Sequence, residues 1–171
     1  MKRYNVLKWI CLLLGLLIFK ACDDNDDTWV HDFWPFSITF LVEDQAGNDL
    51  LAPDAENGIA ENGIYAIFQG KIYQKDSLLE PPGTKAVYVP FEGLKVYYAE
   101  RFKRYALDFG PFLGDDVYNN EMVIFDWGDG SKRDTVTFSN DYWINGPDAG
   151  VERSFYFNGK KTDMPIKIIR E

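Results

Sequence analysis

From residue 36 to residue 43 the chain alternates without a break. Phe36, Ile38, Phe40 and Val42 fall on one side, and Ser37, Thr39, Leu41 and Glu43 on the other. A period of two marks a β-strand with one face packed inward. Residues 64–68 and 71–74 flank Gln69-Gly70 and predict a β-hairpin with a two-residue turn. Residues 84–91 form a further strand candidate, rich in β-formers (Val87, Tyr88, Val89), and Pro90 pushes its end to an edge or bulge. Residues 94–109 mix aliphatic, aromatic and basic side chains. One long or bent strand is the expectation there, although a helix over 97–107 is compatible with the Ala and Lys/Arg content.

Further on, residues 121–127 and 135–138 predict paired strands around the turn Gly128-Asp129-Gly130-Ser131. Asn158-Gly159 predicts a hairpin between residues 154–157 and a terminal strand near 166–169. Breakers separate these runs. They are the turn over 44–49, the loop-like stretch 50–62 with Pro53, Asn57-Gly58 and Asn62-Gly63, and Glu80-Pro81-Pro82-Gly83. The pattern gives seven to nine strands and no long helical period. It predicts an all-β domain over residues 36–171, an antiparallel β-sandwich of immunoglobulin-like or related type.

The first 21 residues have another texture. Lys2, Arg3 and Lys8 precede an apolar run of eleven residues, Trp9 to Phe19, which ends at Lys20. A membrane-spanning helix needs about 20 apolar residues, so the run fits the hydrophobic region of a secretory signal. Phe19-Lys20-Ala21-Cys22 resembles a lipobox, in which a small residue precedes a cysteine that is acylated and exposed by cleavage. Ala21 and Cys22 match that pattern, while Lys20 stands where a small residue is usual. Cys11 lies inside the apolar run, so an exported chain without acylation would keep Cys22 as a lone thiol in an oxidising compartment. Cys22 is therefore the expected lipidation site, with residues 1–21 as signal peptide.

Asp23-Asp24-Asn25-Asp26-Asp27 follows at once. Such a run stays solvated and serves as a flexible tether, expected over 22–35. It resembles the acidic export signal of Bacteroidota surface lipoproteins. The whole pattern resembles their small uncharacterised members, in which an acidic tether leads into a β-sandwich. That resemblance implies an outer-membrane, lipid-anchored protein displayed on the cell surface, with a periplasm-facing orientation as the alternative.

Cleavage before Cys22 removes four basic residues and no acidic one. It leaves 150 residues with 14 basic and 27 acidic side chains, a formal charge of −13 against −9 for the full chain. So acidic a domain repels nucleic acid. The membrane is reached through the lipid at Cys22 instead.

Candidate chemistry is sparse. Asp126-Trp127-Gly128-Asp129-Gly130-Ser131 resembles the turn of small bacterial surface β-sandwiches, including the polycystic-kidney-disease type, and implies hairpin geometry. Asp126, Asp129 and Asp134 are weak candidates for Ca²⁺, which takes oxygen ligands. Their spacing is not that of an EF-hand loop, so a structural turn is the expectation, as it is for Asp44, Asn48 and Asp49. His31 is the one histidine and sits in the entry segment. No nucleophile elbow, phosphate loop or zinc-protease motif occurs. No catalytic residue and no cofactor is assigned, and a small hydrolase stays a distant third reading. Tyr142, Trp143, Tyr97 and Tyr98 are the candidate ligand-binding residues, with core packing as the competing role of any such ring. The expected function is a non-enzymatic binding or interaction module with a surface-protein partner. The alternative is a glycan-binding accessory lipoprotein using exposed Trp and Tyr.

Overall fold

The computed structural model describes residues 31–76 and 91–170. The signal peptide, Cys22, the acidic run and all but the last residue of the strand expected over 84–91 lie outside the described residues. Those that are described form ten strands and no helix. They are β1 (Phe36–Asp44), β2 (Tyr65–Phe68), β3 (Lys71–Gln74), β4 (Gly93–Ala99) and β5 (Arg104–Phe112), then β6 (Tyr118–Asp126), β7 (Asp134–Asn145), β8 (Asp148–Phe157), β9 (Lys160–Thr162) and β10 (Ile166–Arg170). Two sheets result, β10-β1-β5-β4 and β3-β2-β6-β7-β8-β9. The expected all-β sandwich is the fold.

The alternation in β1 decides its orientation. Phe36, Ile38, Phe40 and Val42 enter the main core, and Leu41 joins a small second cluster with Ala99 and Ala106 on the outer face. Phe40 reaches across to Phe125 of the six-stranded sheet at 4.7 Å, and Phe112 of β5 meets Phe138 at the same distance. Burying each such ring contributes about 1.5–3 kcal/mol, and tilted or edge-to-face ring pairs add to that. Cysteine bridges play no part among the described residues, so this aromatic core holds the sheets together.

Local turn chemistry is as expected in two hairpins. Gln69-Gly70 and Asn158-Gly159 all take positive φ, the conformation a two-residue hairpin turn demands. Other expectations need correction. Residues 94–109 form neither one strand nor a helix but most of a hairpin, β4–β5, closing through residues 100–103. Lys103 there adopts φ 55°, and the Phe102 and Lys103 amides both donate to the Ala99 carbonyl. Phe102 tucks against Leu41, Ala99 and Ala106, and that packing fixes the turn without a glycine.

The Asn158-Gly159 hairpin returns as β9, not as the terminal strand. Pro165 lacks an amide donor, and the chain crosses over residues 163–165 to the other sheet. There β10 lies parallel to β1, with Phe40 opposite Ile166 and Asp44 opposite Arg170, so one pair of the sandwich is not antiparallel. These changes bring the strands to ten among the described residues, above the expected seven to nine.

Residues 31–35, expected to end the tether, lie on the domain. The His31 Nε2–H donates to the Gly146 carbonyl at 3.1 Å, the Phe33 ring packs tilted against Tyr142 at 5.1 Å, and Arg153 holds the Trp34 carbonyl at 2.6 Å.

Candidate functional site

The outer face of the four-stranded sheet is built from odd-numbered residues of β1 and β4 and the even-numbered residues of β5 from Arg104 to Gly110. Register puts Thr39 opposite Asp108 and Asp108 opposite Lys95, with Tyr97 one pair further along beside Ala106. Asp108 thus sits at the middle of this face, between Thr39 and Lys95 and beside Tyr97 and Ala106. Its Oδ2 accepts a hydrogen bond from the Tyr97 hydroxyl at 3.1 Å. Its Oδ1 is shielded from water and has no hydrogen-bond partner among the described residues. Lys95, directly opposite, turns away and pairs with Glu92 at 2.8 Å.

Burial pushes the Asp108 carboxyl above the usual aspartate value, and the Thr39 and Tyr97 hydroxyls and the Arg101 charge offset only part of the shift. Burial together with the Asp108 charge raises the Tyr97 phenol to about 12. Tyr97 therefore stays a neutral donor under any physiological condition.

Two concavities meet at these side chains. A groove of about 520 Å³ runs along the sheet, bounded by Phe36, Ser37 and Thr39 on β1 and by Ala99, Arg101 and Phe102 near the β4–β5 turn. A smaller one of about 350 Å³ lies on the other side, against Gly93, Lys95 and Gly110. Ser37, Tyr97 and Asp108 border both. Arg101 lies over the Phe102 ring at 4.2 Å and makes no salt bridge among the described residues.

The expected ligand-binding rings do not converge. Tyr97 borders the groove and is 44% exposed, but Tyr98 points to the opposite face of β4 and packs edge-on against Tyr105 at 5.4 Å. Tyr142 and Trp143 lie on the other sheet. Residues 141–145, expected in a turn-rich segment, are the end of β7, and the turn itself comes at Gly146. Trp143 spreads its indole across Gly150, opposite it on β8, where an added Cβ would come within 2.6 Å of the ring. Its other side is open to solvent, at 54% exposure.

The acidic turn is knitted into the fold, each carboxylate by its own partners. Asp126 accepts from Tyr65, Arg133 and the Gly128 amide. Asp129 accepts from Arg170 and the Ser131 amide. Asp134 accepts from the Trp127 indole at 2.8 Å and from Asn158. Asp44 and Asp49 likewise bind backbone amides of residues 46, 48, 51 and 105. Among the described residues no group of three or more His, Cys, Asp or Glu is arranged to hold a metal ion. A broad cleft where β1 and β10 end is bordered by Asp44, Asp129, Ser131 and Arg170; Asp44 binds neighbouring amides and the Arg170 Nη1 reaches Asp129 and Ser131, while the Arg170 Nε is shielded without a partner among the described residues.

Sequence reasoning passed over Asp108, Arg101, Thr39 and Ser37. The available signal was Leu107-Asp108-Phe109, a single acid within an apolar strand. No family model, curated protein or solved structure matches this chain.

Proposed function

We propose that the chain is a lipid-anchored, non-enzymatic binding module of the outer membrane, displayed on the cell surface. The observation that supports binding most directly is the groove over Asp108. Ligand sites are concave, largely preformed and lined by apolar groups with a few polar ones, and here three paired strands hold such a lining in place. The anchor reading rests on the apolar run, on Ala21-Cys22 and on the acidic residues after it. Glycan recognition is the more specific alternative, favoured by the exposed Tyr97 and Trp143 rings. The charge of the mature chain argues against nucleic acid as the partner.

Two experiments test this reading. Replacing Cys22 by Ser should move the protein out of the detergent phase on phase partitioning, and protease added to intact cells should digest the wild type. Unchanged partitioning overturns the anchor, and full protection overturns surface display. A photo-cross-linking side chain at Lys95, beside the groove, should capture a partner in intact cells that the same group at Lys160, on β9, does not. Identical or absent products at Lys95 overturn the groove as the binding surface.

A further inference from the structure

We infer that the groove over Asp108 takes a neutral, hydroxyl-rich ligand, a sugar unit of a glycan, with Asp108 as the hydrogen-bond acceptor and Tyr97 as the ring beside it. The inference rests on the binding reading above and names the ligand class for the same site.

The first argument is the unmatched oxygen. A buried acceptor without a donor is costly, and Asp108 Oδ1 is one. The terminal torsion of an aspartate is broad, so a small rotation turns that oxygen toward the groove that Asp108 borders on both sides. Whatever fills the groove must therefore bring a donor, either a hydroxyl or a cation.

Charge decides between these. The groove is bordered by two acids, Glu100 and Asp108, and two bases, Arg101 and Arg153, so its lining is formally neutral. Glu100 is matched by Lys103 at 2.7 Å, and Arg153 by the Asn140 side chain and the Trp34 carbonyl. Of the charged groups, what remains for a ligand is one carboxylate oxygen and the Arg101 guanidinium, an acceptor and a donor set on one lining beside the Ser37 and Thr39 side chains. An ammonium or guanidinium ligand would pair with Asp108 but face Arg101. An anion would meet Arg101 but face Asp108. A sugar carries hydroxyls that donate and accept side by side, and it suffers neither repulsion.

The third argument is shape and apolar surface. Tyr97, Phe36, Phe102, Phe155 and Met164 border the same groove, a lining suited to the C–H faces of a pyranose ring. The Tyr97 hydroxyl is held by Asp108, so the ring is pinned while its exposed part remains open. Preorganisation of this kind lowers the ordering cost of binding.

The test is a glycan array probed with the full-length chain in detergent. The array carries neutral oligosaccharides, sulfated and sialylated glycans, and lysine- and arginine-rich peptides. The expected result is binding to a subset of neutral oligosaccharides, weakened at least tenfold by Asp108→Asn and by Tyr97→Ala and unchanged by Trp143→Ala. Asp108→Asn preserves shape. Tyr97→Ala removes an exposed ring, so the two variants do not share one folding risk. Binding confined to anionic glycans or basic peptides overturns the ligand class. Neutral-glycan binding lost with Trp143→Ala but kept in the other two overturns the site. A blank array overturns the inference while a groove-specific cross-link at Lys95 still upholds the binding module. A blank array with no such cross-link removes both.

Discussion

Asn140 and Arg153 face each other across the β7–β8 ladder, and the Arg153 Nε–H donates to Asn140 Oδ1 at 2.7 Å. The same amide spends its Nδ2 hydrogens on the carbonyls of Gly114, at 3.1 Å, and Asp116, at 2.6 Å. Arg153 in turn holds the Trp34 carbonyl and lies over the Phe36 ring at 4.5 Å. One fully buried amide thus fastens two strands, the loop between β5 and β6 and the entry segment.

Asn140→Ala should therefore cost about 2–3 kcal/mol, because it strands two carbonyls and a guanidinium N–H. Asn140→Asp should also destabilise, although it puts a carboxylate beside Arg153, since an ionised acid has no hydrogens for Gly114 and Asp116. Urea denaturation of both variants measures this. An Asn140→Asp protein as stable as wild type would show the donor bonds to be unimportant.

Two glycines of the same turn separate backbone strain from steric overlap. Gly128 and Gly130 have φ of 68° and 74°, but a Cβ at Gly128 would overlap the Asn62 carbonyl, whereas at Gly130 it meets nothing within 4 Å. Gly130→Ala should cost about 1–2 kcal/mol for the left-handed conformation alone. Gly128→Ala should cost clearly more, read as the difference between their denaturation midpoints.

Trp127 and Trp143 should respond in opposite ways to truncation. Trp127 is buried at 1% exposure against Phe40 and Phe125 and bonded to Asp134, so Trp127→Ala should lose about 3–5 kcal/mol. Trp143 is half exposed, and its removal should cost well under that, about 0.5 kcal/mol, as for a surface change. Thermal melts of the two variants provide the comparison.

Asp108 sets a pH dependence whose sign runs against that of Glu43, Asp44, Asp126 and Asp129. Its value is raised by burial, so the folded state favours the protonated form, and ionisation weakens folding as pH rises through the raised value. Asp108→Asn should unfold at higher urea than wild type at pH 7, and the gap should narrow as pH falls toward the ordinary aspartate value of about 4. Asp126 behaves conversely. Its hydrogen bond from Arg133, with those from the Gly128 amide and Tyr65, holds it low, so its contribution is present above about pH 4 and lost as pH falls below. Denaturation of Asp108→Asn and Asp126→Asn across that range checks both signs.

Much of the fold was legible because short-range chemistry encodes it. Phe36, Ile38, Phe40 and Val42 all reach the core that their spacing predicts. Gln69-Gly70 and Asn158-Gly159 turn where their tolerance of positive φ allows. The β4–β5 hairpin escaped notice because residues 100–103 carry no glycine. A contact distant in sequence, Phe102 against Leu41, supports the Lys103 conformation. Asp108 escaped for a related reason. Alone it is one acid among 27, and it becomes special only when Tyr97, Thr39 and a turned-away Lys95 surround it.

By itself the sequence determined the strand-rich character, the inward faces and the tight hairpins, because side-chain alternation and turn preferences act within a few residues. Only the tertiary structure decided that β10 leaves its expected β8 partner to lie parallel to β1, and that Asp108 is half-buried with one shielded oxygen unmatched. Pairing between distant strands depends on which faces bury together, and the environment of a side chain depends on neighbours from three strands. Neither is a property of any local run of residues.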